Sequence, residues 1–334
     1  MSGTTTQIST TEVISMATVF ADTTIDEPVF PQRALTVIRP DQDIDLAGIA
    51  HCIQPCCDLQ DLHPDASFFL IADLQPLTEP AGRLPGRRLV ENTVHALLAL
   101  GIDPEKCSIY RQSDVPHVFE LMWLLDHLCG DGPPTDRATS LRAADLLGLR
   151  ATTVAMKPKG RDALDHARQL ARRCNAAPQN AVLAAPSPVS TPVSPTTSVT
   201  PPIDCISGTL PVFGDESTLA TRVDALVGAL LRPGPGNVQA KTALLSWLLV
   251  PDPLVGRGSA GPVAATASAT ELKKLLLTGF LDTFAKPRQR YRESLTNRTL
   301  PAEVLAEGAT RARREIAKTV SAVKDILSGG DHHE

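Results

Sequence analysis

The stretch FFLIADLQPLTEP, residues 68–80, decides the fold. Phe68 to Ala72 are apolar without a break, so both faces of a strand there need cover, and Asp73 ends the run abruptly. Upstream, Leu35-Thr36-Val37-Ile38 reads as a strand and Ile44–Cys57 as a helix. Downstream, Val90, Val94, Leu97 and Leu98 fall at helical spacing and Gly101 is placed to stop that helix. Ser108–Tyr110 is a third strand and residues 115–129 an apolar helix. Residues 137–149 read as helix, Thr152–Met156 as a fourth strand and 161–174 as an Arg-rich amphipathic helix. Strands alternating with helices predict an α/β fold with a parallel sheet covered on both faces.

The composition narrows the field. The chain has 334 residues, 43% of them hydrophobic and 21% charged, with a net charge of −5. That is a globular composition, and it excludes a strongly basic nucleic-acid glove while leaving room for a local basic face. No run of about 18 apolar residues suggests a membrane span. Seven scattered cysteines do not form a disulfide framework, and the first basic residue is Arg33, so the cytoplasm is the expected location. Of the 32 basic residues only 9 are lysine. Residues 186–202, PSPVSTPVSPTTSVTPP, carry no charge and read as a loop, after which the chain is mostly helical. Leu305, Ala309, Ala312, Ile316, Val320, Val323 and Leu327 trace one apolar stripe on the last helix. The expected organisation is a flexible arm (1–32), an α/β domain (33–180), the Pro/Ser/Thr loop (181–204), a helical part returning to the core (205–328) and a tail (329–334).

FFLIADLQPLTEP, LVENTVHALLALGIDPEKCSIYRQSDVPHVFELMWLL (89–125), SLRAADLLGLRATTV (140–154) and PRQRYRESLTNRTLPAEVLAEGATRARREIAKT (287–319) closely resemble bacterial tryptophanyl-tRNA synthetases. The resemblance implies a class I Rossmann-like catalytic fold with a helical C-terminal domain and a homodimer. It also implies two ATP signatures. Where the family has a His-Ile-Gly-His-like tetrapeptide this chain reads Asp45-Leu46-Ala47-Gly48, placing an acid where a phosphate would bind. The second signature is a Lys-Met-Ser-Lys-Ser loop, but no lysine lies between Lys159 and Lys241, and the Pro/Ser/Thr tract holds no arginine either. A third departure is Lys157-Pro158-Lys159-Gly160 in place of the family's Gly-Glu-Asp-Gln. The expectation is a degenerate nucleotide site (Asp45, Ala47, Gly48, Lys157, Lys159), doubtful ATP binding and no cofactor.

The amino-acid pocket keeps more of the pattern. The family's Met-Ala-Ala-Asp, whose aspartate reads the indole N–H, is Arg142-Ala143-Ala144-Asp145 here. Arg142 either binds a carboxylate or phosphate in a remodelled pocket, or pairs with Asp145 and closes it. Gln112-Ser113-Asp114 matches the family's loop near the bound amino acid, Asp73 ends the second strand, and Gln75 replaces a family histidine. The expected substrate-binding set is therefore Asp145, Arg142, Gln112, Asp73 and Gln75, either around a small amino-acid-like ligand or as residual ancestry. His51, Cys52 and Cys56 offer a minor metal or haem option against a buried apolar role. Arg168, Arg172 and Arg173, with Arg288, Arg290, Arg292 and Arg298, leave tRNA open as a partner beside a plain solvated surface. Two functional classes follow. One is an enzyme repurposed for an amino-acid-derived substrate or aminoacyl-tRNA in specialised metabolism. The other is a non-catalytic regulatory or binding protein, with residual tryptophan–tRNA ligation as a minor third.

Overall fold

The computed structural model describes residues 30–62, 64–128, 136–155, 161–176, 182–188, 210–232, 244 and 267–328. The chain divides into Met1–Phe30 and Pro31–Glu334, and every element below belongs to the second unit. Most of the expected N-terminal arm, the Pro/Ser/Thr tract beyond 188, Lys157, Lys159, His63 and the C-terminal tail lie outside the described residues, as do the side chains of Ala47 and His51.

Five parallel strands form the sheet, in the order β3-β2-β1-β4-β5. They are β1 (Ala34–Ile38), β2 (Ser67–Ile71), β3 (Cys107–Arg111), β4 (Thr153–Ala155) and β5 (Ser187–Pro188). Leu35 pairs with Phe68 and Val154, and Phe68 with Ser108, so β1 lies between β2 and β4. The first residues of the Pro/Ser/Thr tract are thus the edge strand beside β4, where proline's missing N–H removes no interior ladder bond. The alternation along β2 explains the unbroken apolar run. Phe69 and Ile71 face one core with Val90, Val94 and Leu97; Phe68 and Leu70 face a second core with Val118, Leu121, Leu146 and Ile316.

After β1 the chain enters α1 (Leu46–Gly48), a π turn (Ile49–Ile53) and α2 (Gln54–Leu62). α3 (Arg87–Ala99) buries Val90, Val94 and Leu97. Gly101, at φ 102, ends it: its N–H reaches Leu98 O at 3.1 Å and that of Ile102 reaches Leu97 O at 3.1 Å. This left-handed cap is where glycine is needed. α4 (His117–Leu128) and α5 (Arg137–Gly148) follow, α5 capped by Asp136 accepting from Thr139 N. α6 (Arg161–Cys174) and α7 (Glu216–Leu230) come next, and α8 (Ala269–Thr283) opens with a Ser268/Glu271 capping box. α9 (Ala285–Ser294) and the long α10 (Leu300–Leu327) are the last of the described elements.

α10 passes the β3 edge of the sheet. Its Val304 and Leu305 belong to one core, whereas Ala309, Ala312, Ile316, Val320 and Val323 belong to the other. The crossing point is Gly308, where a Cβ would stand 2.0 Å from Ile109 O. Further along, Arg33 Nη2 meets Glu315 Oε2 at 2.7 Å and Thr319 Oγ1 donates to Gly148 O at 2.8 Å. Gly308→Ala must push helix and strand apart and is expected to cost about 3 kcal/mol. Gly228→Ala, on the exposed face of α7 with nothing within 4 Å, is expected to gain about 0.5–1 kcal/mol. Paired urea denaturation curves measure both.

Candidate functional site

The chain winds outward from β1 through β2 to β3, then returns to the other side of β1 for β4. In open α/β sheets this reversal leaves a crevice at the carboxyl ends of the strands. A cavity of about 320 Å³ sits there. Its wall is built from the end of β1 (Val37, Ile38, Arg39), the next loop (Gln42, Asp43, Ile44), and Gly48, Cys52 and Ile53 at the π turn. Gln75 after β2, Arg142 and Leu146 on α5, and Ala163 on α6 close it.

Asp45 governs the α1 side. Its carboxylate does not face the cavity as a ligand-repelling charge; it turns onto its own helix and accepts from Gly48 N at 2.6 Å, leaving the residue 2% exposed. This is an N-cap, in which a short acid satisfies an amide that a phosphate would otherwise approach. Asp45 also bridges Pro211, Val212 N donates to Ile44 O at 3.0 Å, and Arg288 Nη1 donates to Val212 O at 2.6 Å. The terminus is thereby buried under the segment before α7. In the π turn, Cys52 O accepts from Thr36 Oγ1 at 3.5 Å, and the same hydroxyl contacts Cys56 Sγ.

On the β2–β3 side the acids are committed internally. Asp73 accepts from Ser113 N at 3.0 Å and from Ser113 Oγ at 2.6 Å, with Arg111 Nε at 3.9 Å. Gln112 accepts from Leu74 N at 3.2 Å and donates to Asp145 Oδ2 at 2.7 Å, which links the ends of β2 and β3 to α5. Asp145 is 2% exposed and is not among the residues that line the cavity, whereas Arg142 and Gln75 are. Burial pushes the Asp145 carboxyl up to about 8, against the Gln112 hydrogen bond and the Arg142 charge, which pull it down. At neutral pH it is mostly a neutral acid. Tyr110, fully buried near Asp145, has its hydroxyl pushed well up by the same loss of water.

Arg142 does not pair with Asp145. Its Nε donates to Gln75 Oε1 at 3.3 Å, so the closed ion pair weighed from sequence is not formed. Arg39, also on the wall, is neutralised by Asp41 at 2.6 Å and by Glu79.

The five expected pocket residues therefore form two linked groups: Asp73, Gln112 and Asp145 in the interior, Gln75 and Arg142 on the wall. Sequence reasoning did not assign Arg39, Asp43 or Tyr110 to the site. Tyr110 was signalled by its place two residues before Gln112 on a buried strand. Cys52 and Cys56 are buried, and no group of three or more His, Cys, Asp or Glu able to hold a metal occurs among the described residues. Arg168 donates to Pro186 O at 2.8 Å and so anchors β5, while Arg290, Arg292 and Arg298 are exposed around α9.

The raised Asp145 carboxyl has a signed consequence. An unfolded aspartate ionises near ~3.9. From there up to about pH 8 the folded chain holds the extra proton, and stability falls as pH rises. His95 and His166, depressed by burial, act oppositely but only below about pH 6.5. Cys107 and Cys174, pushed up to about 12 and about 11, add a decline only above roughly pH 8.5. Stability from urea unfolding is therefore expected to fall between about pH 7 and 8 in the wild type, and Asp145→Asn is expected to remove most of that slope.

Residues 45–130 match the family of class I tRNA synthetases for W and Y. The tryptophan–tRNA ligase of Corynebacterium efficiens is 27% identical over 340 residues, covering 89% of this chain and 94% of that one. The tryptophan–tRNA ligase of Corynebacterium glutamicum is 26% identical and covers 88% and 94%. Among solved structures, tryptophanyl-tRNA synthetase from Campylobacter jejuni complexed with ADP and tryptophan is similar in fold, with a TM-score of 0.65 at 21% identity over 89% of this chain and all of that one. The Mycoplasma pneumoniae tryptophanyl-tRNA synthetase has a TM-score of 0.69 at 17% identity, covering 89% and 98%. Among the described residues no helix is long and apolar enough to cross a membrane. By these relatives and the residues that carry the resemblance, the chain is similar over most of its length to the bacterial class I tryptophanyl-tRNA synthetases.

Proposed function

We propose that this synthetase-like protein does not activate an amino acid with ATP and instead uses the switch-point cavity for an amino-acid-derived ligand. The observation that carries the reading is the Asp45 carboxylate seated on Gly48 N at 2.6 Å. The amide that a phosphate would approach is occupied from within by the helix's own cap. The altered tetrapeptide, the lysine-free span from 160 to 240 and the basic 157–160 segment point the same way. The reaction class we favour acts on an amino-acid derivative or on an aminoacyl group already joined to tRNA, in a homodimer as the family implies. Exposed Arg290, Arg292 and Arg298 would then serve the RNA.

A second reading, a non-catalytic sensor, draws on the interior acids. Asp73 and Asp145 are engaged by Ser113 and Gln112, and neither lines the cavity as a base. Covalent work would fall to groups outside that network.

Tryptophan-dependent exchange of pyrophosphate into ATP tests the proposal. Exchange at background level is expected, beside a robust signal from the Corynebacterium glutamicum ligase run in parallel; robust exchange by this chain overturns the reading. Asp45→Ala is expected to lose about 1 kcal/mol of stability, as for a lost N-cap, without gaining exchange.

A further inference from the structure

Gln75 and Arg142 form a donor site on the cavity wall. Arg142 can only donate, so the Gln75 atom facing its Nε at 3.3 Å is the amide oxygen, and the amide NH₂ points the other way. That nitrogen, Nε2, is buried and has no hydrogen-bond partner among the described residues, although Gln75 is only 2% exposed and lines the cavity. A buried donor left unmade costs stability, and a ligand acceptor relieves it.

The charge beside it is also unspent. Arg39, on the same wall, is balanced by Asp41 and Glu79. Arg142 has no carboxylate within ion-pair distance among the described residues: Asp145 is bonded to Gln112, and Glu79 is bonded to Arg39. The acid on the wall, Asp43, sits on the exposed loop after β1. One unpaired guanidinium next to one unpaired buried amide, with Ile38, Ile44 and Leu146 as apolar wall, makes a place for an oxyanion carried on an apolar body.

We propose that the cavity selects its ligand by an oxyanion, foremost a carboxylate, held jointly by Gln75 Nε2 and the Arg142 guanidinium, with the rest of the ligand against the apolar wall. The α5 end of the pocket is thus built to donate to an acceptor, not to accept from a ring N–H. This assignment rests on reading the cavity as a small-ligand site and adds the chemistry of that ligand.

Titration calorimetry on the full chain with 3-phenylpropionate and 3-phenylpropionamide isolates the charge at near-constant shape. The carboxylate is expected to bind at least about tenfold more tightly than the amide. In Arg142→Met that ratio should fall to near one; in Gln75→Leu the carboxylate should weaken several-fold while some preference persists. Thermal melts of both variants confirm that they fold. Inorganic phosphate forms a second arm: phosphate that displaces the carboxylate and loses its binding in Arg142→Met supports the same oxyanion site and identifies a phosphorylated ligand as its source. Equal affinities for acid and amide, a ratio unchanged in folded Arg142→Met, or no saturable carboxylate binding each overturn the proposal. The wider reading fails separately, through tryptophan-dependent pyrophosphate exchange, so the two failures are distinguishable.

Discussion

Much of the structure depends on the approach of α10 to the edge strand β3, at Gly308 over the backbone of Ile109. A parallel sheet leaves its edge amides and carbonyls available to any other strand, and this edge is covered by a helix instead. The same crossing lets one helix seal both cores, with Leu305 on one side and Ile316 on the other. It also reaches the site. Arg313 Nε donates to Asp114 O at 2.7 Å, which holds the turn after β3. That turn sets Gln112, and Gln112 sets Asp145. A side chain of α10 thus helps to hold the turn from which Gln112 reaches Asp145.

Much of the fold was legible because it is written in local patterns. Four of the five strands are short apolar runs, and the stop at Gly101 and the stripe on α10 are visible as spacing. β5 was not, because Ser187 and Pro188 carry no strand signal and are drawn in by backbone pairing with β4 and the Arg168 bond to Pro186. Nor was the π turn, since an extra residue in a helical turn leaves the composition unchanged.

The residues singled out from the sequence were easier to name than to connect. Asp73, Gln75, Gln112, Arg142 and Asp145 do converge, yet which of them pair is decided by angles that no spacing rule contains. Arg142 and Asp145 lie one helical turn apart, the usual spacing of an ion pair, but Gln112 reaches Asp145 first from the turn after β3. Asp45 illustrates the same limit. An acid before a helix reads as repulsion toward a phosphate and equally as a cap for the helix; the structure realises the cap, and the two readings exclude a nucleotide by related means.

The edge crossing also bears on how the chain comes to be folded. Arg33 and Glu315, which meet at the start of the sheet and the middle of α10, are 282 residues apart. Strand pairing itself can begin once β1 and β2 are made, but the helix that covers β3 lies far downstream of it in the sequence. On a ribosome the β3 edge therefore stays open, its amides and carbonyls free to pair with a neighbouring strand, until α10 has emerged. The feature that locks the finished protein is one that its early nascent form lacks.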